Sequence, residues 1–314
     1  MEQATKHLPP GFRIRAPLHE DAEAVTELLR ACDTAIFGEP DTSIEDVRDD
    51  WAAPGFELKR DAWVIDGADG VAFGFAHIRR RAERDFDGDL YVLPGKSVDA
   101  IAPALLDAVE GRAREIADGS DASLCFFTGS VETEMRTFME RSGYHEARTF
   151  FRMRIDLTAR GKPSLPRPTL EIRTMRLGTD DRVMHQTIEE SFAEHFRHTP
   201  RTFEDWWALR TSHPRFDPGL WLLAWDGERV AGALTAYDFG DIGFVRELGV
   251  LKAWRGHGVG SALLVRSFEA FSTRGQLRVA LGVDAENESA IALYKRVGMH
   301  VESRHHLMQK RIAA

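Results

Sequence analysis

Hydrophobic and polar positions alternate with two different periods along this chain, and each period predicts one kind of element. Val279, Leu281 and Val283 are apolar at every second position, which is the spacing of a strand with one buried face. Residues 289–297 instead have helical spacing, and Gly298 follows them as a typical helix-ending residue. The same two patterns recur along both halves of the chain.

The predicted elements follow the same order in each half: a strand, two helices, three strands, and then helix, strand, helix and strand. For the first half we predict strand 12–16, helices 22–29 and 44–51, and strands 62–66, 71–78 and 90–93. For the second half we predict strand 170–174, helices 183–192 and 203–209, and strands 221–225, 230–237 and 247–251. A meander followed by alternating helices and strands predicts an α/β fold with a mixed central sheet covered by helices on both faces.

The two halves also share residues at a constant lag. A shift that places Trp63 on Trp221 also places other residues on identical partners, namely Ile14 on Ile172, Gly74 on Gly232, Leu90 on Leu248 and Leu105 on Leu263. Such a lag indicates two copies of one domain. Residues 157–169 contain three prolines and predict a linker. We therefore expect domains at residues 1–156 and 170–314.

Composition narrows the possible functions. The chain has 314 residues, 43% of them hydrophobic, and a formal net charge of −9, which disfavours nucleic acid and mildly favours a cationic substrate such as an amine. Cys32 and Cys125 are too few for a disulfide framework or a metal cluster. No apolar run approaches the length of a membrane span. We expect a soluble, cytoplasmic protein without membrane or nucleic-acid partners.

The segment from Glu247 to Ser261, ELGVLKAWRGHGVGS, is chemically the most informative. A short strand leads into a turn that carries Arg255, Gly256, Gly258 and Gly260, and a helix follows. This arrangement presents free backbone N–H groups at a helix N-terminus, where phosphates bind, and Arg255 adds a positive charge. The segment predicts a site for a phosphate-bearing cofactor.

The glycine spacing excludes two common phosphate motifs. The dinucleotide motif G-x-G-x-x-G fails because Ser261 occupies its third glycine position, and the triphosphate loop fails because no lysine follows the glycines. The remaining pattern, R-x-x-G-x-G from Arg255 to Gly260, resembles the coenzyme A pyrophosphate loop of the GNAT superfamily of N-acetyltransferases. The alternative is a tight turn with incidental glycines.

A second segment, LGVDAENESAIALYKRVGM at residues 281–299, also resembles this superfamily. The resemblance implies acetyl-CoA as acyl donor, Asn287 as a contact to it, and Tyr294 as the acid that protonates the departing thiolate. The implied cofactor-binding residues are Leu248, Val250, Leu251, Arg255, Gly256, His257, Gly258, Val259, Gly260, Ser261 and Asn287. Two alternatives stay open: Asn287 simply caps a helix, or Tyr294 is an ordinary half-buried aromatic.

The family chemistry further implies direct acetyl transfer to the primary amine of a small molecule, with a backbone N–H near Leu248 to Val250 polarising the carbonyl. We take Glu247 as the first candidate for the base, with an ion pair or strand-edge charge as the alternative. The resemblance places the family's usual glutamate several residues earlier, near Phe244. Asp238 and Asp241 are weaker candidates. No histidine cluster has companion ligands at metal-binding spacing, so we predict no metal.

The first half lacks this chemistry. Arg255 aligns with Ser97, Gly258 with Ala100, Gly260 with Ala102, Asn287 with Glu132 and Tyr294 with Met139. We therefore predict a degenerate acetyltransferase-like domain at 1–156 and a catalytic domain at 170–314. The tandem layout is similar to that of mycothiol synthases, which acetylate a cysteinyl amine. A non-catalytic acyl-CoA sensor or scaffold is the competing class, and either a monomer or a homodimer fits.

Overall fold

The computed structural model describes residues 8–38, 40, 42–67, 70–129, 131–158, 170–240 and 242–313. These residues form two compact units. The first contains the described residues up to Thr149 together with those from Ser303 onward, and the second runs from Phe150 to Glu302. The predicted α/β class is confirmed, since each unit has a mixed sheet with helices on both faces.

In the first unit the sheet order is β1-β2-β3-β4-β5, with the end of β12 beside β5. Only the pair β4–β5 is parallel among the described strands of this unit. Helices α1 and α2 cover one face and α4 covers the other. The elements are β1 (Arg13–Arg15), α1 (Ala22–Phe37), α2 (Ile44–Trp51), α3 (Leu58–Asp61), β2 (Ala62–Asp66), β3 (Ala72–Ala82), β4 (Asp85–Val92), α4 (Val98–Ala117), β5 (Ala122–Gly129), α5 (Thr133–Arg141) and β12 (His300–Ile312).

In the second unit the order is β6-β11-β10-β9-β8-β7, and β10–β11 is the parallel pair. Helix α6 packs against β10 at Gly249, whereas α8 packs against Val250 on the opposite face. The elements are β6 (His145–Asp156), β7 (Glu171–Thr174), α6 (Asp181–Phe192), α7 (Phe203–Thr211), β8 (Leu222–Asp226), β9 (Arg229–Asp238), β10 (Gly243–Val250), α8 (Val259–Thr273), β11 (Arg278–Asp284) and α9 (Glu288–Arg296).

The last strand of each sequence repeat pairs in the unit formed by the other repeat. Strand β6 pairs antiparallel with β11, with Met153 opposite Leu281. Strand β12 pairs antiparallel with β5, with Met308 opposite Phe126. The compact units therefore differ from the predicted domains 1–156 and 170–314, because alternation identifies a strand without identifying its neighbour. Residues 159–169 of the predicted linker lie outside the described residues.

The core of the second unit holds its central strands and helices in place. Trp206, Trp221 and Phe271 are fully buried in it, and Met153 of β6 contributes to the same cluster. Fully burying a large apolar side chain stabilises a fold by about 1.5–3 kcal/mol. In the part of the chain that the structure describes, no helix is both long and apolar enough to cross a membrane.

Strands β10 and β11 pair along only a short stretch. Their register runs from Gly243 opposite Val279 to Val245 opposite Leu281. On its other side β10 continues to pair with β9 as far as Val250, with a bulge between Val245 and Glu247. A bulge bends its strand and disrupts the local ladder. The second half of β10 therefore has one edge without a strand partner among the described residues.

Candidate active site

The turn between β10 and α8 presents a row of backbone N–H groups. Gly256 and Gly258 both have a φ of 80°, a left-handed conformation that glycine adopts without steric penalty. Gly258 is also the N-cap of α8, and it offers no capping side chain. Within the described chain, no acceptor is seen for the N–H groups of Gly256, Gly258, Val259, Gly260 or Ser261. Such a helix N-terminus favours a phosphate.

The first residues of α8 turn their side chains into the protein. Val259 is 1% exposed and Ser261 is 4% exposed. A Cβ atom on Gly260 would lie 2.8 Å from Cδ1 of Leu293 on α9, so a larger residue here would require the Leu293 side chain to move. These three residues can therefore serve a ligand only through their backbone N–H groups.

Arg255 is held beside this turn by two carbonyl oxygens. Its Nε donates to the Val250 oxygen at 3.1 Å and its Nη2 to the Ser191 oxygen at 3.5 Å. No carboxylate in the described residues pairs with it, so its positive charge is available to an anion. His257 lies on the exposed side of the turn with Nδ1 3.0 Å from the Arg255 oxygen.

The free edge of β10 presents further donors. The Leu251 N–H donates to the Ala231 oxygen at 3.1 Å, so it is already used in pairing with β9. Because donors alternate sides along a strand, the N–H groups of Leu248 and Val250 point away from β9 toward the unpaired edge. Of the three residues, Leu248 and Val250 therefore have available N–H groups, whereas Leu251 does not.

Glu247 lies in a buried ion pair. One carboxylate oxygen accepts from Arg210 Nη2 at 2.7 Å, and the other accepts from Thr235 Oγ1 at 2.7 Å. Burial by itself would raise the pKa of Glu247, but the Arg210 guanidinium holds that pKa below its usual value. This geometry supports the ion-pair alternative and leaves the carboxylate a weak base.

Tyr294 lies on α9 and is 8% exposed. Its hydroxyl makes no hydrogen bond to the described residues. Burial raises the pKa of Tyr294 to about 12, since the phenolate would be poorly solvated there. The side chain therefore keeps its proton at neutral pH, as a general acid must.

Asn287 is the N-cap of α9. Its side-chain oxygen accepts from the Ala290 N–H at 3.1 Å and from Ser289 Oγ at 3.0 Å. The capping role is thus present, and the amide nitrogen has no acceptor among the described residues. The cap leaves that end of the side chain available for a ligand contact.

Asp238, a weaker candidate for the base, stabilises the turn that follows β9. Its carboxylate accepts from the Gly240 N–H at 2.9 Å and from the side-chain amide of Gln276. Asp241, the other weak candidate, lies outside the described residues. The sequence did not identify Arg210, because nothing in the local pattern of α7 indicates a pairing with a strand far along the chain.

The corresponding region of the first unit has different chemistry. Ser97 is the N-cap of α4 and lacks the left-handed backbone of Gly258. Glu132, the N-cap of α5, accepts from the Gly129 N–H, and burial raises the pKa of this carboxyl. Met139 is buried at the position that aligns with Tyr294. The described residues also contain no group of three or more His, Cys, Asp or Glu side chains placed to hold a metal ion.

Comparisons with known proteins extend these observations. A family model described as the acetyltransferase (GNAT) family matches residues 181–299. A mycothiol acetyltransferase of Geodermatophilus obscurus is 31% identical over 303 residues, which cover 90% of this chain and 94% of the relative. A GCN5-related N-acetyltransferase from Sphaerobacter thermophilus is 32% identical, with a TM-score of 0.85 and 98% of each chain covered.

A second solved structure supports the tandem arrangement at the level of fold. It is a tandem GNAT protein from the clavulanic acid biosynthesis pathway, 16% identical, with a TM-score of 0.73. The match covers 96% of this chain and 99% of that one.

Proposed function

The chain belongs to the acetyltransferase (GNAT) family, whose acyl donor is acetyl-CoA, and we propose that its second unit acetylates the primary amine of a small molecule. The observation that carries this proposal is the turn before α8. Consecutive N–H groups without protein acceptors, beside the Arg255 guanidinium, match the donor set that a pyrophosphate needs.

The residues of the second unit have distinct parts in this proposal. The N–H groups of Gly256, Gly258, Val259, Gly260 and Ser261 would hold the pyrophosphate together with Arg255, and the amide of Asn287 would contact the arm that follows it. His257 lies at the exposed rim of the same site, and Leu251 supports the site through its pairing with β9. When bound, acetyl-CoA supplies an acetyl thioester.

Two sets of hydrogen-bond donors would stabilise the developing charge and supply the proton: backbone N–H groups of β10 and the Tyr294 hydroxyl. The N–H groups of Leu248 and Val250 are placed to stabilise negative charge on an oxygen at the free edge of β10. Tyr294 holds a proton on Oη and would release it to the leaving sulfur. A hydroxyl without a protein partner needs to break no hydrogen bond before it does so.

The acceptor amine must lose a proton before it attacks, because a free alkylammonium has a pKa of about 10. The sequence predicts Glu247 as the base. Its buried ion pair with Arg210 supports the alternative, a structural role. We propose that Glu247 fixes Arg210 and the bulged part of β10, and that water carries the proton away from the amine.

We propose that the first unit does not bind acetyl-CoA. Its Ser97 turn lacks the arginine and the left-handed N-cap of the second unit. The buried carboxyl of Glu132 stands where the second unit has an amide, and a carboxylate there would repel a polyanion.

A second candidate function specifies the acceptor amine more narrowly. The relatives covered over most of their length are mycothiol acetyltransferases, and the match to that of Geodermatophilus obscurus spans both units. This similarity favours a cysteinyl amine as acceptor within the same reaction class.

Release of free coenzyme A from acetyl-CoA tests the proposal. The full chain would be supplied with acetyl-CoA and a panel of primary amines, cysteinyl amines included, and the thiol would be followed with a chromogenic reagent. We expect at least one amine to raise thiol release above the rate without an acceptor. Binding of acetyl-CoA without release for any amine would contradict the proposal and favour a non-catalytic binding role.

A further inference from the structure

Open space, called the recess below, lies over the exposed Gly282 on the sheet of the second unit. A Cβ atom on Gly282 would have no described heavy atom within 4 Å. On one side Gly282 pairs with Arg152 of β6. On the other side the β10–β11 register ends at Val245 opposite Leu281, so the next residue of β10, Arg246, comes opposite Gly282. Two arginines therefore flank the recess from neighbouring strands.

Arg152 and Gly282 project to the same face of the sheet. Their neighbours Met153 and Leu281 belong to the apolar core, and side chains alternate between faces along a strand. Arg246 lies beside them as the extra residue of the β10 bulge, within electrostatic reach of the Glu247–Arg210 pair. The ion pair of Glu247 lies at the same bulge, so the recess adjoins the active site.

The arginines around the recess differ in how their charge is balanced. Arg152 and Arg154 both pair with Glu302, the former with Nε 3.0 Å from a carboxylate oxygen. Arg210 is paired with Glu247. Arg246 makes no hydrogen bond and no ion pair with the described residues. The charges of Arg210, Glu247 and Arg201 act on it, and the two arginines lower its pKa whereas the Glu247 carboxylate raises it.

Arg246 also has the environment of a side chain that lines a recess. Its side chain is exposed to solvent. Desolvation by the surrounding protein atoms nevertheless lowers its pKa, and the like charge of Arg210 adds to the effect, whereas the Glu247 carboxylate opposes it. Arg210 and Arg246 share the one carboxylate of Glu247, so an anion bound there would balance the excess positive charge.

We propose that this recess binds a carboxylate or phosphate group of the acceptor, so that the substrate class is a small amine that carries an anionic group. The inference rests on the proposed function and narrows its acceptor. Arg246 offers planar donors that match either anion in a bidentate way. Only Glu247 separates Arg246 from Leu248, so these two backbone positions lie about 7 Å apart and a small acceptor can reach both.

Matched acceptors test the inference through turnover. We would compare kcat/KM for an L-amino acid with its amide, and for an amino sugar phosphate with the unphosphorylated amino sugar. We expect the anionic member of at least one pair to be preferred by about tenfold or more, the scale of one charge-assisted bidentate contact. Arg246→Gln should remove this preference without changing KM for acetyl-CoA, and Arg246→Lys should retain part of it.

Arg266→Gln is the matched control, because Arg266 is an exposed arginine on α8 that pairs with Glu269. It should keep the preference. Equal use of neutral and anionic amines, or a preference that survives in Arg246→Gln, would overturn the inference.

A binding measurement tests the recess without turnover. Malonate and inorganic phosphate would be titrated separately by calorimetry into protein saturated with coenzyme A, so that the turn before α8 is already filled. We expect one of the two anions to bind, and both Arg246→Gln and Gly282→Val to weaken that binding at least about tenfold. Valine suits a strand and would fill the space over Gly282.

The outcomes separate the two proposals. If coenzyme A binds but neither anion binds afterwards, the result would contradict anion binding in the recess and leave the proposed function intact. Anion binding that is unchanged in both variants would reveal an adventitious ion only. Failure of coenzyme A itself to bind would contradict the proposed function, and the acceptor recess with it.

Discussion

Tyr294 and Glu247 are both buried, yet their surroundings act on their protons in opposite directions. For Tyr294, burial alone raises the pKa to about 12. For Glu247, the Arg210 guanidinium outweighs burial and lowers the pKa. At neutral pH the phenol therefore holds its proton and the carboxyl has lost its own. These states agree with the acid role proposed for Tyr294 and with a weakly basic Glu247.

Replacing Tyr294 with Phe tests the acid role. We expect kcat to fall by about a hundredfold, the lower range for loss of a general acid, because only the hydroxyl is removed. The melting temperature should stay close to that of the native chain, since the hydroxyl makes no hydrogen bond to the described residues. In the native enzyme no loss of kcat should be traceable to this phenol below about pH 10. An unchanged kcat in Tyr294→Phe would contradict the assignment.

Replacing Glu247 with Gln tests the ion pair. We expect the free energy of unfolding at pH 7 to fall by about 3 kcal/mol in urea titrations, because the variant leaves Arg210 buried without its counter-charge. The pKa of Glu247 is lowered by folding, so the pair stabilises fully above the unfolded value of 4.5 and loses its effect as the pH falls through the folded value. The difference between the two proteins should therefore shrink in acid.

Glu204→Gln is the control for this experiment, because Glu204 pairs with Arg182 on the exposed surface of α7. It should leave the free energy of unfolding unchanged.

The Glu247→Gln variant also tests the catalytic alternative. If Glu247→Gln kept native stability but lost the acidic limb of the pH–rate profile, Glu247 would be the base and the structural role would be wrong.

At the scale of elements, the turn before α8 depends on backbone conformation rather than on side chains. Gly256 has a φ of 80° and open space around its Cβ position, and Gly95 in the first unit has a φ of 82° and equally open space. Alanine at either site should lower the free energy of unfolding by about 1 kcal/mol, because both positions are left-handed.

The two variants should differ only in ligand binding. We expect Gly256→Ala to raise the dissociation constant of acetyl-CoA, measured by calorimetry, while Gly95→Ala leaves it unchanged. The shared backbone strain cancels in this comparison. An equal effect of the two variants would show that Gly256 matters for stability alone.

Much of the element pattern could be predicted from the sequence, and the misses have physical causes. Helix α2 and strand β2 have the predicted bounds. Strand β10 begins at Gly243 rather than at Glu247, because the bulge breaks the alternation on which the prediction depends. Strand β4 begins at Asp85, where charged residues conceal the strand.

The candidate site likewise has a part that could be predicted from the sequence and a part that could not. The turn, Asn287 and Tyr294 lie in two short segments whose glycine and polar spacing made them recognisable. The pairing of Arg210 with Glu247 and the recess between Arg152 and Arg246 each join residues from distant segments. Such juxtapositions depend on register and strand order, which local periodicity does not specify.

At the scale of the whole molecule, the exchange of β6 and β12 decides where the chain can be divided. A fragment of residues 170–314 lacks β6, so it leaves the edge of β11 unpaired and removes Met153 from the core. A fragment of residues 150–302 contains the whole second unit in one segment.

We expect the fragment 150–302 to unfold cooperatively in urea and to bind acetyl-CoA. The fragment 170–314 should unfold at a lower midpoint or aggregate, because an open strand edge is a site for association. Equal or greater stability of the fragment 170–314 would contradict the importance of the β6–β11 pairing.

The central claim is that one of two homologous units binds acetyl-CoA, through the turn before α8. Calorimetric titration of the full chain with acetyl-CoA measures this directly. The account predicts one site per chain, and a clearly weaker site in Arg255→Ala. Two tight sites per chain, or no binding heat at all, would contradict it.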